Sequence, residues 1–141
     1  MDQIYTDFFL NHWVIFSLFV LVGAILLFDF SGGFIRGSTA ISTIEAVRLI
    51  NRENAILVDL RGDADYRKSH IIDAVHIPLR QIPDRVRELK KYQEQPLIVY
   101  CQYGTESAKA GQELAKAGFT KVYRLRGGFL GWENEKLPIQ S

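Results

Sequence analysis

The sequence predicts an α/β domain built on a parallel sheet, preceded by one membrane-spanning helix. Two observations carry this. After residue 40, short apolar runs alternate with stretches of helical periodicity, the pattern of a sheet covered by helices on both faces. Before that, from Phe8 to Phe28, 21 consecutive residues carry no formal charge and 17 of them are apolar. Charge divides the chain at the same place. Residues 1–35 hold Asp2, Asp7 and Asp29 and no Lys or Arg, whereas all 17 basic residues follow. A net charge of +1 over 141 residues leaves no basic footprint for a dedicated nucleic-acid binder. The 48% hydrophobic content excludes a disordered polar chain. A single cysteine, Cys101, excludes an internal disulfide framework, and no CxxC metal or dithiol motif occurs.

Residues 1–7 read as a short tail and residues 8–30 as the span. At about 1.5 Å per residue, a helix of this length covers roughly 30 Å, the hydrocarbon thickness of a bilayer. It is apolar all round, without the polar stripe of a soluble amphipathic helix. Asn11, His12 and Trp13 near one end suit the interface. A cleaved signal peptide would carry a basic first region and a small-residue cleavage site; residues 1–7 lack the former, and no A-x-A pattern follows Leu26-Leu27-Phe28. A buried core helix would be shorter or show a polar face. Arg36, Arg48 and Arg52 follow the span. The bias predicts a single pass through the inner or plasma membrane, N-terminus outside and domain in the cytoplasm. A lone thiol fits that reducing compartment. Residues 31–40, with Ser31-Gly32-Gly33 and Gly37-Ser38, read as a flexible linker.

The domain occupies residues 41–141. Ser42-Thr43-Ile44-Glu45 fits a capping box, and Ile44, Val47, Leu49 and Ile50 give the helix an apolar face up to about Asn51. Ala55–Asp59 is a short apolar run ending in a charge, a strand buried on both faces. Asp63 is placed to cap a short helix through Lys68. Val75-His76-Ile77, before Pro78, reads as a strand. Pro83 at a first-turn position, with Asp84 beside it, starts a helix carrying Val86 and Leu89. Pro96–Tyr100 is the strongest strand signal. Ser107–Ala117 is a helix rich in small residues, ended by Gly118 in the left-handed position with Phe119 folding back toward Leu114. Lys121–Leu125 is a last strand, and Gly127-Gly128 turns the chain into a short helix around Trp132.

Chemistry concentrates at one loop. In parallel sheets, reactive groups gather beyond the carboxyl ends of the strands. Cys101 follows the strongest strand directly, and Gln102, Tyr103, Gly104, Thr105 and Glu106 lead to Ser107 at the helix start. Successive loop amides and the helix N-terminus surround the sulfur with partial positive charge, which stabilises a nucleophilic thiolate. Gly104 permits torsions that a Cβ would resist. Ser107 is expected to cap the helix and donate toward the loop. The bland alternative is a buried structural cysteine. A cysteine phosphatase would need an arginine at the sixth position after the cysteine to grip phosphate, and Ser107 stands there. A cysteine protease would need a paired histidine; His70 and His76 have no motif linking them to Cys101. No metal or cofactor site is visible, because neither histidine has a ligand cluster beside it.

These residues resemble the single-domain rhodanese-like sulfurtransferases, over roughly Ile41 to Ile139. Val58-Asp59-Leu60-Arg61 with Tyr66–Ile71 and Ala74–Pro78 looks like the family's upstream signature. Cys101-x-x-Gly104-x-x-Ser107 looks like its active-site loop, and Gly127-Gly128-x-x-x-Trp132 with Leu137-Pro138 looks like its C-terminal signature. A tethering span is also similar to small membrane-anchored members. The resemblance implies five parallel strands with helices on both faces. It also implies that Cys101 takes a sulfane sulfur from thiosulfate or a persulfide and passes it to a thiol or cyanide. The competing reading is a noncatalytic rhodanese-fold module that docks a membrane protein partner or senses redox state.

The chain departs from the family pattern at Ser69 and Asp73, where glycine is usual, and at Glu106, near which many members carry a base. A carboxylate at the loop rim would repel dianionic thiosulfate, so a persulfide donor or a protein partner is expected to be preferred. Asp59 and Arg61 are supporting candidates. Asp59 reads equally as a residue that holds the site together or a turn cap. Arg61, like Arg126, reads first as a solvated arginine and second as part of the pocket mouth. His70 and His76 read as scaffold and Trp132 as core. Tyr103 either shapes access or is simply exposed. Arg80, Arg85, Arg87, Lys90 and Lys91 read as a solvated face, with contact to anionic headgroups as the alternative.

Overall fold

The computed structural model describes residues 1–31 and 38–141. Residues 32–37, with Arg36 and most of the expected linker, lie outside the described residues. The chain forms two units, one ending at Ile35 and the other beginning at Arg36.

In the first unit, α1 (Asp2–Ser31) takes in six of the seven residues expected as a tail. The Thr6 hydroxyl donates to the carbonyls of Asp2 (3.1 Å) and Gln3 (2.9 Å), so the first turns close on themselves. At His12 the backbone leaves helical values (φ −117°, ψ 15°). There the imidazole Nδ1 donates to the Phe8 carbonyl at 3.0 Å and the ring stacks on Phe8. Asp2–Leu27 is long and apolar enough to cross a membrane.

The second unit is a five-stranded parallel sheet with helices packed on it. Its strands are β1 (Thr39–Ile41), β2 (Ile56–Asp59), β4 (Val75–His76), β5 (Leu97–Tyr100) and β6 (Val122–Leu125), in the spatial order β1-β6-β5-β2-β4. All four pairings are parallel. β5 is buried along its whole length between β2 and β6, which is why it reads as an unbroken apolar run. Alternate residues feed two cores. Leu57, Ile98, Tyr100, Phe129 and Trp132 belong to one, and Val58, Val99, Leu89 and Leu114 to the other.

Around the sheet lie α2 (Thr43–Glu53), α3 (Asp63–Lys68), α4 (Ile82–Arg85), α5 (Ser107–Lys116) and α6 (Gly128–Asn134). The capping box of α2 is present in both directions, Glu45 N–H to Ser42 Oγ (3.2 Å) and Ser42 N–H to Glu45 Oε2 (3.0 Å). The α5 stop is as expected: Gly118 has φ +98° and the Phe119 amide bonds the Leu114 carbonyl at 3.1 Å.

Several elements differ from the sequence reading. Thr39 and Ala40, placed in the linker, belong to edge strand β1, whose three residues pair with Tyr123–Leu125. β3 (His70–Ile71) pairs antiparallel with β7 (Ile139–Gln140) in a small separate sheet. Such short strands are set by their partners and leave no periodicity to read. Ile44 is exposed, while Thr43 and Ala46 turn inward; the Thr43 hydroxyl donates to Glu135 at 2.6 Å. Gly62, not Asp63, is the N-cap residue of α3. The helix expected from Pro83 begins at Ile82 and tightens after Arg85 into 3-10 geometry through Tyr92. Asn54, Asp73 and Lys136 have positive φ.

Candidate active site

Cys101 is the first residue beyond the carboxyl end of β5, and its side chain is almost wholly buried. The loop folds around the sulfur. The Gly104 amide donates to Sγ at 3.0 Å and the Glu106 amide at 3.4 Å. The outer side of the loop is pinned by α6. The amides of Phe129 and Leu130 donate to the carbonyls of Cys101 (2.8 Å) and Gln102 (3.1 Å). These two bonds fix the first two carbonyls of the loop on α6, while the amides of Gly104 and Glu106 face the sulfur. Gly128 (φ +60°) makes this approach possible, since a Cβ there would collide with the Cys101 carbonyl and the Gly104 amide. Gly104 (φ +86°) is packed closely too, though less so, its Cβ direction facing the backbone of Leu125, Gly127 and Gly128 at 3.0–3.2 Å.

Ser107 is fully buried, and its hydroxyl donates to the Gly104 carbonyl at 3.3 Å. It is the first residue of α5 rather than its cap. The N-cap residue is Glu106, whose side chain makes no capping bond. The Ser107 hydroxyl is turned to the loop instead.

Beneath the loop lies a buried ionic network. Asp59 is fully buried and accepts from the Arg61 amide (2.9 Å), Arg61 Nε (3.1 Å), Arg61 Nη2 (2.8 Å) and the Tyr100 hydroxyl (2.7 Å). It holds the site together and caps the Arg61 turn at once. Arg61 is not the solvated arginine expected from sequence. It is 6% exposed, lies over the Phe129 ring at 3.9 Å, and donates further to the Ser69 carbonyl (2.6 Å) and Gln102 Oε1 (3.1 Å). Gln102 thereby ties the network to the loop. Desolvation works against the Arg61 charge, but its hydrogen bonds to and attraction by Asp59 leave the guanidinium pKa raised. Burial first, then the Asp59 charge, push the Tyr100 hydroxyl well above the usual tyrosine range. Tyr100 also accepts from the Ile71 amide at 3.2 Å.

The histidines are scaffold. His70 Nδ1 donates to the Tyr66 carbonyl at 2.9 Å and His76 Nε2 to the Arg61 carbonyl at 2.8 Å, with the Tyr66 ring stacked between them. Trp132 is buried, and its indole donates to the Pro138 carbonyl at 3.0 Å. Tyr103 and Thr105 are exposed on the loop, and Arg126 is exposed away from the cleft.

A cleft of about 580 Å³ opens over Cys101. Asp63, Asp65, Glu106 and Arg80 line it. Sequence reasoning had missed Tyr100, Asp63, Asp65 and Arg80 as parts of the site. Tyr100 carried a signal, a polar-tipped residue at a buried strand end beside the cysteine. The other three carried none, because loops distant in sequence bring them to the cleft. Among the described residues, no group of three His, Cys, Asp or Glu side chains is arranged to hold a metal.

Residues 42–135 match the family model of the rhodanese-like domain. The chain belongs to the rhodanese family. It is 41% identical over 96 residues to the protein YibN of Escherichia coli (strain K12), covering 67% of each chain. It is 39% identical over 103 residues to the thiosulfate sulfurtransferase GlpE of Actinobacillus pleuropneumoniae serotype 5b (strain L20), 73% of this chain and 94% of that one. The BH2092 protein of Bacillus halodurans has a similar structure, with a TM-score of 0.65 at 27% identity over 74% of this chain and 77% of that one. A rhodanese-related protein of Thermoplasma volcanium shares the fold at a TM-score of 0.65 and 20% identity, covering 72% and 97%. Within the rhodanese pattern, Asp73 stands in left-handed backbone (φ +61°) where the resemblance puts glycine.

Proposed function

We propose that this rhodanese is a membrane-anchored sulfurtransferase that carries sulfane sulfur on Cys101. The Cys101 thiolate attacks the outer sulfur of a persulfide, or the sulfane sulfur of thiosulfate. A bond forms between Cys101 and that sulfur, and the donor leaves with the electron pair of the broken S–S bond, as a thiolate or sulfite. A thiol or cyanide then attacks the outer sulfur, and Cys101 departs as thiolate. No proton need be drawn from a strong base, which fits the absence of a histidine partner at Cys101. The observation that carries the reading is the pair of loop amides on Sγ, donors that suit an anionic sulfur. The naming of relatives such as GlpE as thiosulfate sulfurtransferases supports sulfane chemistry. Asp59, Arg61 and Ser107 position the loop and do not touch the transferred sulfur.

Intact-mass spectrometry of the full chain in detergent, after thiosulfate or a low-molecular-weight persulfide, tests the reaction. One added sulfur atom, discharged by cyanide and absent from Cys101→Ala, is the expected result. No adduct with any donor would leave a docking module as the function. We infer that the apolar helix holds the reaction at a membrane, with the N-terminus outside and the domain in the cytoplasm; the length of the helix and the basic residues that follow it support this reading. A cysteine introduced by Gln3→Cys should then react with an impermeant maleimide on intact cells, and one introduced by Gln140→Cys should not.

A further inference from the structure

The cleft over Cys101 has opposite polarity at its two ends. At the bottom, the amides of Gly104 and Glu106 point at Sγ, and α5 begins at the next residue. This end favours negative charge on sulfur. At the mouth stand three exposed carboxylates, Asp63, Asp65 and Glu106. Two cations also line the cleft, Arg61 and Arg80. Arg61 is unavailable to a ligand anion, because Asp59 neutralises it and Asp59, Ser69 and Gln102 take all but one of its guanidinium hydrogens. That leaves Arg80, and the His76 imidazole 3.6 Å from Asp63, against three carboxylates. A sulfur donor entering this cleft meets a negative rim before it reaches a positive floor.

We propose, on the basis of the persulfide reading above, that the donor is an aminothiol persulfide, whose ammonium sits at the carboxylate rim while its sulfane sulfur reaches Cys101. An ammonium three bonds from the inner sulfur matches the polarity of the cleft; thiosulfate, a dianion without a cationic end, opposes the rim. The step is redox-neutral. The Cys101 thiolate attacks the terminal sulfur of R–S–SH, the new S–S bond forms, and the old one breaks. The electron pair leaves on R–S⁻, and the proton stays on the transferred sulfur. The leaving aminothiolate carries its own ammonium, so it departs as a zwitterion instead of adding net negative charge to the rim.

The test compares donors with the same sulfane group and different charge: the persulfides of cysteamine (cationic), cysteine (zwitterionic) and 3-mercaptopropionate (anionic), each against the full chain in detergent. Persulfidation rates at limiting donor should fall in that order. Each unit of donor charge changes the rate by about threefold per net rim charge at low salt, taking a separation of ~7 Å in water. The spread should shrink as ionic strength rises toward 1 M, where the Debye length is about 3 Å. Glu106→Gln leaves the amide on Sγ in place and should narrow the cysteamine-to-mercaptopropionate ratio by about sevenfold, because these two donors differ by two units of charge, with Asp63→Asn and Asp65→Asn narrowing it further. Equal rates for the three donors, a reversed order, or a ratio unmoved in all three variants would overturn the donor assignment while leaving the persulfide reaction standing. Failure of every donor to add sulfur would overturn the reaction itself.

Discussion

Replacing Asp59 by Asn keeps the shape of the side chain and removes its charge. The consequence can be worked from the four donors around it. Oδ1 receives the Arg61 amide and Nε, and Oδ2 receives Arg61 Nη2 and the Tyr100 hydroxyl. An asparagine has one oxygen and one NH₂. Whichever way it turns, the NH₂ confronts two groups that also need to donate. Arg61 is left buried without its counter-charge, and its remaining partners, Ser69 O and Gln102 Oε1, are neutral. Breaking one side of a buried ion pair costs roughly 3–5 kcal/mol. For a domain of this size, each kcal/mol lowers the melting temperature by roughly 4–8 °C. Urea unfolding of wild type and Asp59→Asn in the same detergent measures the loss. Removing both charges together, as Asp59→Leu with Arg61→Met, should cost clearly less than the sum of the two single changes, because neither charge is then stranded. A loss below about 1 kcal/mol for Asp59→Asn, well under the buried-pair range, or strict additivity in the double variant, would refute the view that this network is a dry, mutually dependent unit.

Other expectations concern the backbone and the same network. The Tyr100 pKa is raised in the folded state, so its contribution to stability is complete below the unfolded tyrosine value of about 10 and is lost as pH rises above it. That loss has a slope of about 1.4 kcal/mol per pH unit. Urea midpoints from pH 9 to 11 should fall more steeply for wild type than for Tyr100→Phe. Asp73→Gly relieves left-handed strain of about 1–2 kcal/mol and gives back about 0.5–1 in unfolded-state entropy, so thermal unfolding should show a small stabilisation, not a loss. Gly128→Ala sets a methyl against the Cys101 carbonyl and the Gly104 amide. It should slow sulfur loading of Cys101 at least tenfold, about 1.4 kcal/mol in the barrier, in a protein whose far-UV circular dichroism is unchanged; wild-type loading would contradict the pinning of the loop by α6.

The sequence alone carried the α/β class, the central strands, the capping box at Ser42, the helix stop at Gly118 and the Cys101 loop, since each rests on residues adjacent in the chain. An apolar run at β5, or a cysteine between a strand and a helix, is visible wherever the rest of the protein lies. Edge strand β4 was read at Val75-His76, but three other short elements were not legible. β1, β3 and β7 are two or three residues long, and only their partners give them strand geometry. The meaning of Arg61 was also decided in three dimensions. An arginine after a strand reads as solvent-exposed, because nothing local announces that Asp59, Tyr100 and Phe129 will enclose it. The charge of the cleft belongs to the same class. Glu106 was recognised beside the cysteine, but Asp63 and Asp65 reach it only because β2 lies beside β5, and Arg80 only because β4 lies beside β2, with the carboxyl ends together. Local order in the sequence determined where the sulfur sits. The pairing of distant strands determined which charges surround it, because a parallel sheet gathers at one edge the loops that the chain keeps far apart.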